Sequence, residues 1–306
     1  MATGDLSTRA STQGFQNEAH AAALKQALAG KPELLEQLLC RASGWPGGKL
    51  NWKLAAAFGA EIGAVKADPL PLLLRFSDDD APTNTPRIFL PISAAYGWGE
   101  LVRVGREVET AWTALSELGA DGRNPIRLGV LNVLSAHCTQ VGHADAFVAR
   151  ATDWLDTEDR EFRFGIAAFA LDVLGDSGVV AVVRDYDALR RYLSRVIADI
   201  AEAPRAAERS ETRRRALLGL PRALFAAASR MPGEMATEWL LAECTHAKHP
   251  RLREALSNML VMLRKGAQKP LAEQLTKALE GSAAPLRNPD HPRKGTGRGK
   301  QTRRIR

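Results

Sequence analysis

This 306-residue sequence predicts an all-α protein whose helix–turn–helix units stack into an α-solenoid, and three observations lead there. Alanine and leucine recur three and four positions apart, with arginine and glutamate between them, which is the helical period and not the alternation of a half-buried strand. Gly, Pro and Asp clusters, such as Gly119-Ala-Asp-Gly122, Gly175-Asp-Ser-Gly178 and Met231-Pro-Gly233, punctuate the periodic stretches. A weak internal repeat runs through the chain, and units that cannot bury an apolar face alone must stack on their neighbours.

In chain order, helical periodicity covers Glu33–Leu39 and Lys53–Val65, then the pair Glu107–Leu118 and Ile126–His137. Ala144–Leu155 with Phe162–Leu174 forms a second pair, Leu189–Ala201 with Arg213–Ala228 a third, and Ala236–Cys244 with Leu252–Leu263 a fourth. Leu271–Leu279 closes the series. Arg87-Ile-Phe-Leu-Pro91 and Val179-Val-Ala-Val-Val183 are short, apolar and β-branched or proline-bearing. Either could be a strand, but both are too isolated to imply a sheet.

The repeat emerges on aligning Arg127-Leu-Gly-Val-Leu-Asn-Val-Leu, Arg163-Phe-Gly-Ile-Ala-Ala-Phe-Ala and Arg253-Glu-Ala-Leu-Ser-Asn-Met-Leu. Asn132 and Asn258 share one offset, and Arg214-Arg-Ala-Leu-Leu-Gly-Leu-Pro is a degenerate fourth copy. Each of the three follows a polar turn with a capping residue: Asn124-Pro125, Thr157 with Glu158 and Asp159, and His249-Pro250. Proline suits the first helical position, where its missing N–H had no partner anyway. The arginine then lies in the first turn, and its head is expected to reach an acid in the adjacent turn.

The formal net charge is +7, and its location matters more than its size. From Pro285 onward there are eight cations (Arg287, Arg293, Lys294, Arg298, Lys300, Arg303, Arg304 and Arg306) against Asp290 alone, leaving 34 cations and 34 acids in the rest. The stretch 285–306, rich in Pro and Gly, predicts a disordered basic tail that could neutralise nucleic-acid phosphates or merely aid solubility. Residues 1–16 predict a frayed, disordered N-terminus, and 17–284 the helical-repeat body. No secretory pattern or membrane-length apolar run is visible, so a cytoplasmic protein with no membrane partner is expected. Three scattered cysteines, Cys40, Cys138 and Cys244, give no disulfide framework.

The turns Asp121-Gly-Arg-Asn-Pro-Ile-Arg127 and Lys248-His-Pro-Arg-Leu-Arg253 resemble the start of the second helix of HEAT-type repeats. Residues from about 33 to 265 are similar to bacterial HEAT-like proteins grouped with the DNA alkylation repair (alkylpurine glycosylase-like) superfamily. Ser43-Gly-Trp-Pro-Gly-Gly-Lys-Leu-Asn51 followed by Leu54-Ala-Ala-Ala-Phe58 resembles an N-terminal motif of some members. The resemblance implies a right-handed superhelix whose concave face binds a macromolecule. In the superfamily's glycosylases, tryptophans and an aspartate on a basic concave face hold a damaged nucleotide. That role would fall here to Trp112, Trp154 and Trp239 with Asp153, Asp156, Glu158 or Asp159.

A competing reading makes the tryptophans core. Trp112 lies 15 residues before Arg127 and Trp239 lies 14 before Arg253, near-equivalent slots on first helices. The neutral body also departs from a basic DNA groove. Arg213-Arg-Arg215, with Arg190-Arg191 the densest internal cationic runs, could cover phosphates or answer Glu202, Glu208 and Glu211. A solvated, salt-bridged face is the preferred expectation. His137 and His143 flank Cys138, and His246 and His249 follow Cys244. A structural zinc site wants four ligands in defined pairs, so these cysteines read as core and neither metal nor cofactor is expected. Asp78-Asp-Asp80 reads as a solvated, self-repelling loop, although three acids could hold a divalent cation. No nucleophile elbow or phosphate-binding glycine loop occurs. The expected function is a non-enzymatic scaffold with a protein or nucleic-acid partner on its concave face. The alternative is a glycosylase-like enzyme acting on alkylated bases.

Overall fold

The computed structural model describes residues 18–266 and 268–282, and the expectations for 1–16 and 285–306 lie outside them. Among the described residues there are helices and no strand. Four helices come first: α1 (Glu18–Leu28), α2 (Glu33–Ala42), α3 (Trp52–Ala64) and α4 (Leu70–Ser77). After a 3-10 turn at Pro86–Ile88 come α5 (Phe89–Val104), α6 (Val108–Ala120), α7 (Asn124–Cys138), α8 (His143–Trp154), α9 (Arg160–Leu174) and the single turn α10 (Ser177–Val180). Then follow α11 (Tyr186–Glu202), a 3-10 turn at Arg205–Arg209, α12 (Glu211–Ala228), α13 (Gly233–His246), α14 (Pro250–Lys265) and α15 (Lys269–Gly281).

Neither strand candidate forms a strand. Arg87–Pro91 spans the 3-10 turn and the start of α5, where Pro91 occupies the first turn and lacks an N–H that had no acceptor there. Val179 and Val180 end α10 as buried core residues. The longest element absent from the sequence reading is α5. It packs against α2, α3, α4, α6 and α7, and its residues from Phe89 to Ala95 are all buried. A helix surrounded this way has no polar face, so its sequence carries no amphipathic period.

Packing follows chain order. Helix α5 lies on α7, α7 on α9, α9 on α12 and α12 on α14, while α6, α8 and α11 each pack on the helix that follows in their pair, and α13 packs on α12 and α15. Helix α15 covers α13 and α14. One hydrophobic core runs from Ala23 to Leu279. Close approach of α3 and α5 depends on Gly59, where an added Cβ would lie 2.7 Å from the Tyr96 carbonyl oxygen.

The repeat arginines share a contact that differs from the expectation of an acid. Each donates to the backbone carbonyl six residues earlier; Asp121 and Ala247 immediately follow the preceding helix, and Thr157 lies in the loop three residues past its end. Arg127 Nη1 bonds Asp121 O at 2.7 Å, Arg163 Nη2 bonds Thr157 O at 2.5 Å, and Arg253 Nη1 bonds Ala247 O at 3.4 Å. Of the three, Arg163 also meets an acid, Asp199, at 3.5 Å. Carbonyls at a helix C-terminus lack intrahelical donors and carry its negative dipole end, so at Asp121 and Ala247 the guanidinium supplies the missing donor. Arg106 to Val65 O (2.7 Å) and Arg195 to Leu155 O (3.0 Å) do the same for α3 and α8 across longer separations.

Candidate functional site: an arginine-lined groove

The exposed side chains of α7, α9, α12 and α14 meet along one groove. Its first stretch, about 260 Å³, is walled by Arg127, Leu128 and Leu131 of α7, Asp172 of α9, and Arg215, Leu218 and Arg222 of α12. Arg215, Leu218 and Arg222 stand at i, i+3 and i+7, so helical geometry lines them up on one face. Leu218 is 79% exposed and also borders a second cavity of about 580 Å³ between α12 and α14. Leu128 adds apolar surface that remains open to solvent on α7.

Cations dominate the first stretch. Among the described residues no ion pair ties Arg127, Arg215 or Arg222 to a carboxylate. Asp172 faces all three. The groove walls desolvate its carboxyl and raise its pKa, and this outweighs the opposing pull of Arg222, Arg127 and Arg215. Burial, then the nearby Arg215 charge, lowers the pKa of Arg127. With three arginines facing one carboxyl, this stretch of the groove is electropositive.

The three arginines singled out at 213–215 separate. Arg214 is exposed and paired with Glu211 at 3.3 Å, as a salt-bridged face requires. Arg215 lines the groove, its Nη1 reaching Asp121 O at 3.4 Å. Arg213 departs from the solvated expectation: it is 2% exposed, and its Nη2 donates to Ile200 O at 2.9 Å and faces His249 Nε2 at 3.2 Å. Of the second run, Arg190 pairs with Asp187 at 3.1 Å. The tail cations Arg293, Lys294, Arg298, Lys300, Arg303, Arg304 and Arg306 lie outside the described residues.

Trp112 is 6% exposed, its ring centroid 6.0 Å from those of both Trp154 and His137 and 6.3 Å from that of Phe147. Trp154 is half-buried in the same cluster. Trp239 sits elsewhere, buried on α13, its Nε1 donating to Ser194 Oγ of α11 at 2.8 Å and to Glu243 at 3.2 Å. Of the acids near Trp154, Asp156 is held by Arg195 at 2.8 Å and Asp159 caps α9, while Asp153 and Glu158 are exposed. These tryptophans do not meet on an exposed face.

Cys138 and Cys244 are buried, and burial pushes both thiols up to about 12. Among the described residues no group of three or more His, Cys, Asp or Glu is placed to hold a metal ion. The acidic loop is less solvated than its composition suggests. Asp79 is ion-paired with Arg87 at 2.5 Å, and Arg123 donates to the Asp79 and Ala81 carbonyls at 2.8 and 3.1 Å. Sequence reasoning missed Leu218, Arg222 and Asp172. The i, i+3, i+7 stripe of α12 was the signal for the first two, whereas Asp172 joins them through the α9–α12 contact. No family model matches the chain, and no curated protein matches it significantly.

Proposed function

We propose that this chain is a helical-repeat scaffold, an α-solenoid of HEAT-like pairs in a right-handed superhelix, that docks an acidic protein segment in the arginine-lined groove and has no catalytic step of its own. The order in which consecutive helical pairs pack supports the solenoid reading. One observation carries the docking reading: Leu218, 79% exposed, stands between Arg215 and Arg222 on a face with no ion-paired carboxylate. A leucine open to water inside a cationic groove suits a partner that brings both carboxylates and apolar side chains. A nucleic-acid backbone would use the arginines and leave the leucine without a role. The buried positions of Trp112 and Trp239 lend the glycosylase reading no support.

The test measures binding of a synthetic peptide of alternating glutamate and leucine, and of mixed-sequence duplex DNA, to the full chain and its variants. Leu218→Asp and Arg222→Glu, both at exposed positions, should each weaken peptide binding at least tenfold while leaving thermal stability unchanged. Tight duplex binding that is lost in Arg222→Glu but unaffected by ending the chain at Ala284 would give the groove to nucleic acid and refute the protein reading. Duplex binding lost on that truncation would assign it to the tail and leave the groove to protein.

A further inference from the structure

We propose that the second cavity, between the first turns of α12 and α14, binds a phosphate monoester group. The inference rests on the docking reading only for its source, a phosphorylated side chain on the docked segment.

The cavity holds a buried cation without a counter-ion. Arg213 is 2% exposed, and among the described residues no carboxylate lies within ion-pair distance of it. Its Nε is buried with no hydrogen-bond partner. Nη2 is directed at Ile200 O and at His249 Nε2. His249 is already committed, because its Nδ1 accepts from the Arg251 backbone N–H at 3.2 Å and caps α14. A neutral imidazole has one acceptor nitrogen, so it cannot satisfy both donors. Protonation offers no remedy, since it would remove that acceptor as well. Arg213, whose side chain lines the cavity, therefore has fewer acceptors than donors, a costly state unless an anion on the cavity side balances its charge.

The surroundings point the same way. Arg209, Arg214 and Arg251 also line the cavity. The first turns of two helices, α12 at Arg213–Arg214 and α14 at Pro250–Arg251, open onto it and add positive dipole ends. Of the carboxylates on its wall, Glu254 is exposed and tied to Arg251 at 3.0 Å, and Glu208 does not reach Arg213 within ion-pair distance. A volume of about 580 Å³ is far larger than a bare anion, and Leu217, Leu218 and Ala255 form its apolar side. This combination selects a phosphate carried on an organic group over the free inorganic ion.

The experiment titrates inorganic phosphate, phenyl phosphate and phenol into the full chain at pH 7.5 by calorimetry. Saturable binding is expected for phenyl phosphate, at least tenfold weaker binding for inorganic phosphate, and none for phenol. Asn258→Asp, which sets a carboxylate on the exposed cavity rim, and Arg251→Gln should each weaken phenyl phosphate at least fivefold without loss of fold. Arg213→Gln should abolish it, and circular dichroism would show whether that variant folds. A failure of phenyl phosphate to saturate, or full binding retained in both Asn258→Asp and Arg251→Gln, overturns the proposal.

Adding phosphoserine to the glutamate–leucine peptide separates the sources. Tighter binding of the phosphopeptide than of its parent assigns the group to a partner side chain. Equal binding, with phenyl phosphate still retained, assigns it to a free small molecule. Arg222→Glu, which does not line this cavity, reports on the docking groove: phosphate binding can fail while Arg222→Glu still weakens the peptide, and the reverse holds equally.

Discussion

His137 shows how a single side chain takes its chemistry from what is packed on it. Its ring stacks on His143 with centroids 4.2 Å apart and meets Trp112 edge-on. Burial first, then the charges of His143 and Arg103, bring its pKa down to about 4. An unfolded imidazole titrates near about 6.5, so between those values the unfolded chain binds more protons and folding weakens as the pH drops. Above about 6.5 both states are neutral, and this contribution is level. Urea midpoints at pH 5.0 and 7.5 should therefore differ more for the natural chain than for His137→Gln, and equal differences would refute the assignment. Residue-scale features were unevenly legible. The spacing of Trp112 and Trp239 before the repeat arginines indicated core slots, and both are buried. The burial of Arg213 was hidden, because its neighbours in sequence are charged and the residue it faces, His249, lies 36 positions away.

At the scale of helices, the carbonyl-bound arginines decide how a pair closes. Removing the guanidinium while keeping an apolar stem, as in Arg163→Met, leaves Thr157 O without its donor. The change should cost about 1.5–3 kcal/mol, the usual range for a hydrogen bond from a charged donor. The half-buried Arg190→Met, whose partner Asp187 is a surface one, should shift stability by less than about 1 kcal/mol. Thermal denaturation of the two variants side by side checks the contrast. Gly59→Ala should destabilise by about 1–3 kcal/mol, since its methyl would push α3 away from the Tyr96 backbone. Chemical denaturation measures that directly. Most of the paired helices were readable because they have one polar and one apolar face, and the nearly enclosed α9 was marked by its alignment on Arg163. Helix α5 was not readable because it is enclosed on all sides, and the arginine acceptors were not because a carbonyl leaves no mark in sequence.

Across the whole molecule, a charge-neutral body carries a local cationic groove that no overall count reveals. The repeat spacing made the all-helical architecture legible. The groove was not, since it gathers Arg127, Asp172 and Arg222 from three helices that come together on folding. No described helix is long and apolar enough to cross a membrane. Helix α15 covers α13 and α14, and Arg253 bonds Ser282 just beyond its end. Ending the chain at Gly266 should therefore uncover that side of the core. Amide exchange should then rise first in α13 and α14 and leave α5 protected, whereas a uniform rise would show that the molecule melts as one unit.

The arginine bond that spans six residues has a modular consequence. Both of its ends lie inside one hairpin, so that hairpin carries the fastener for its own bend wherever it is placed.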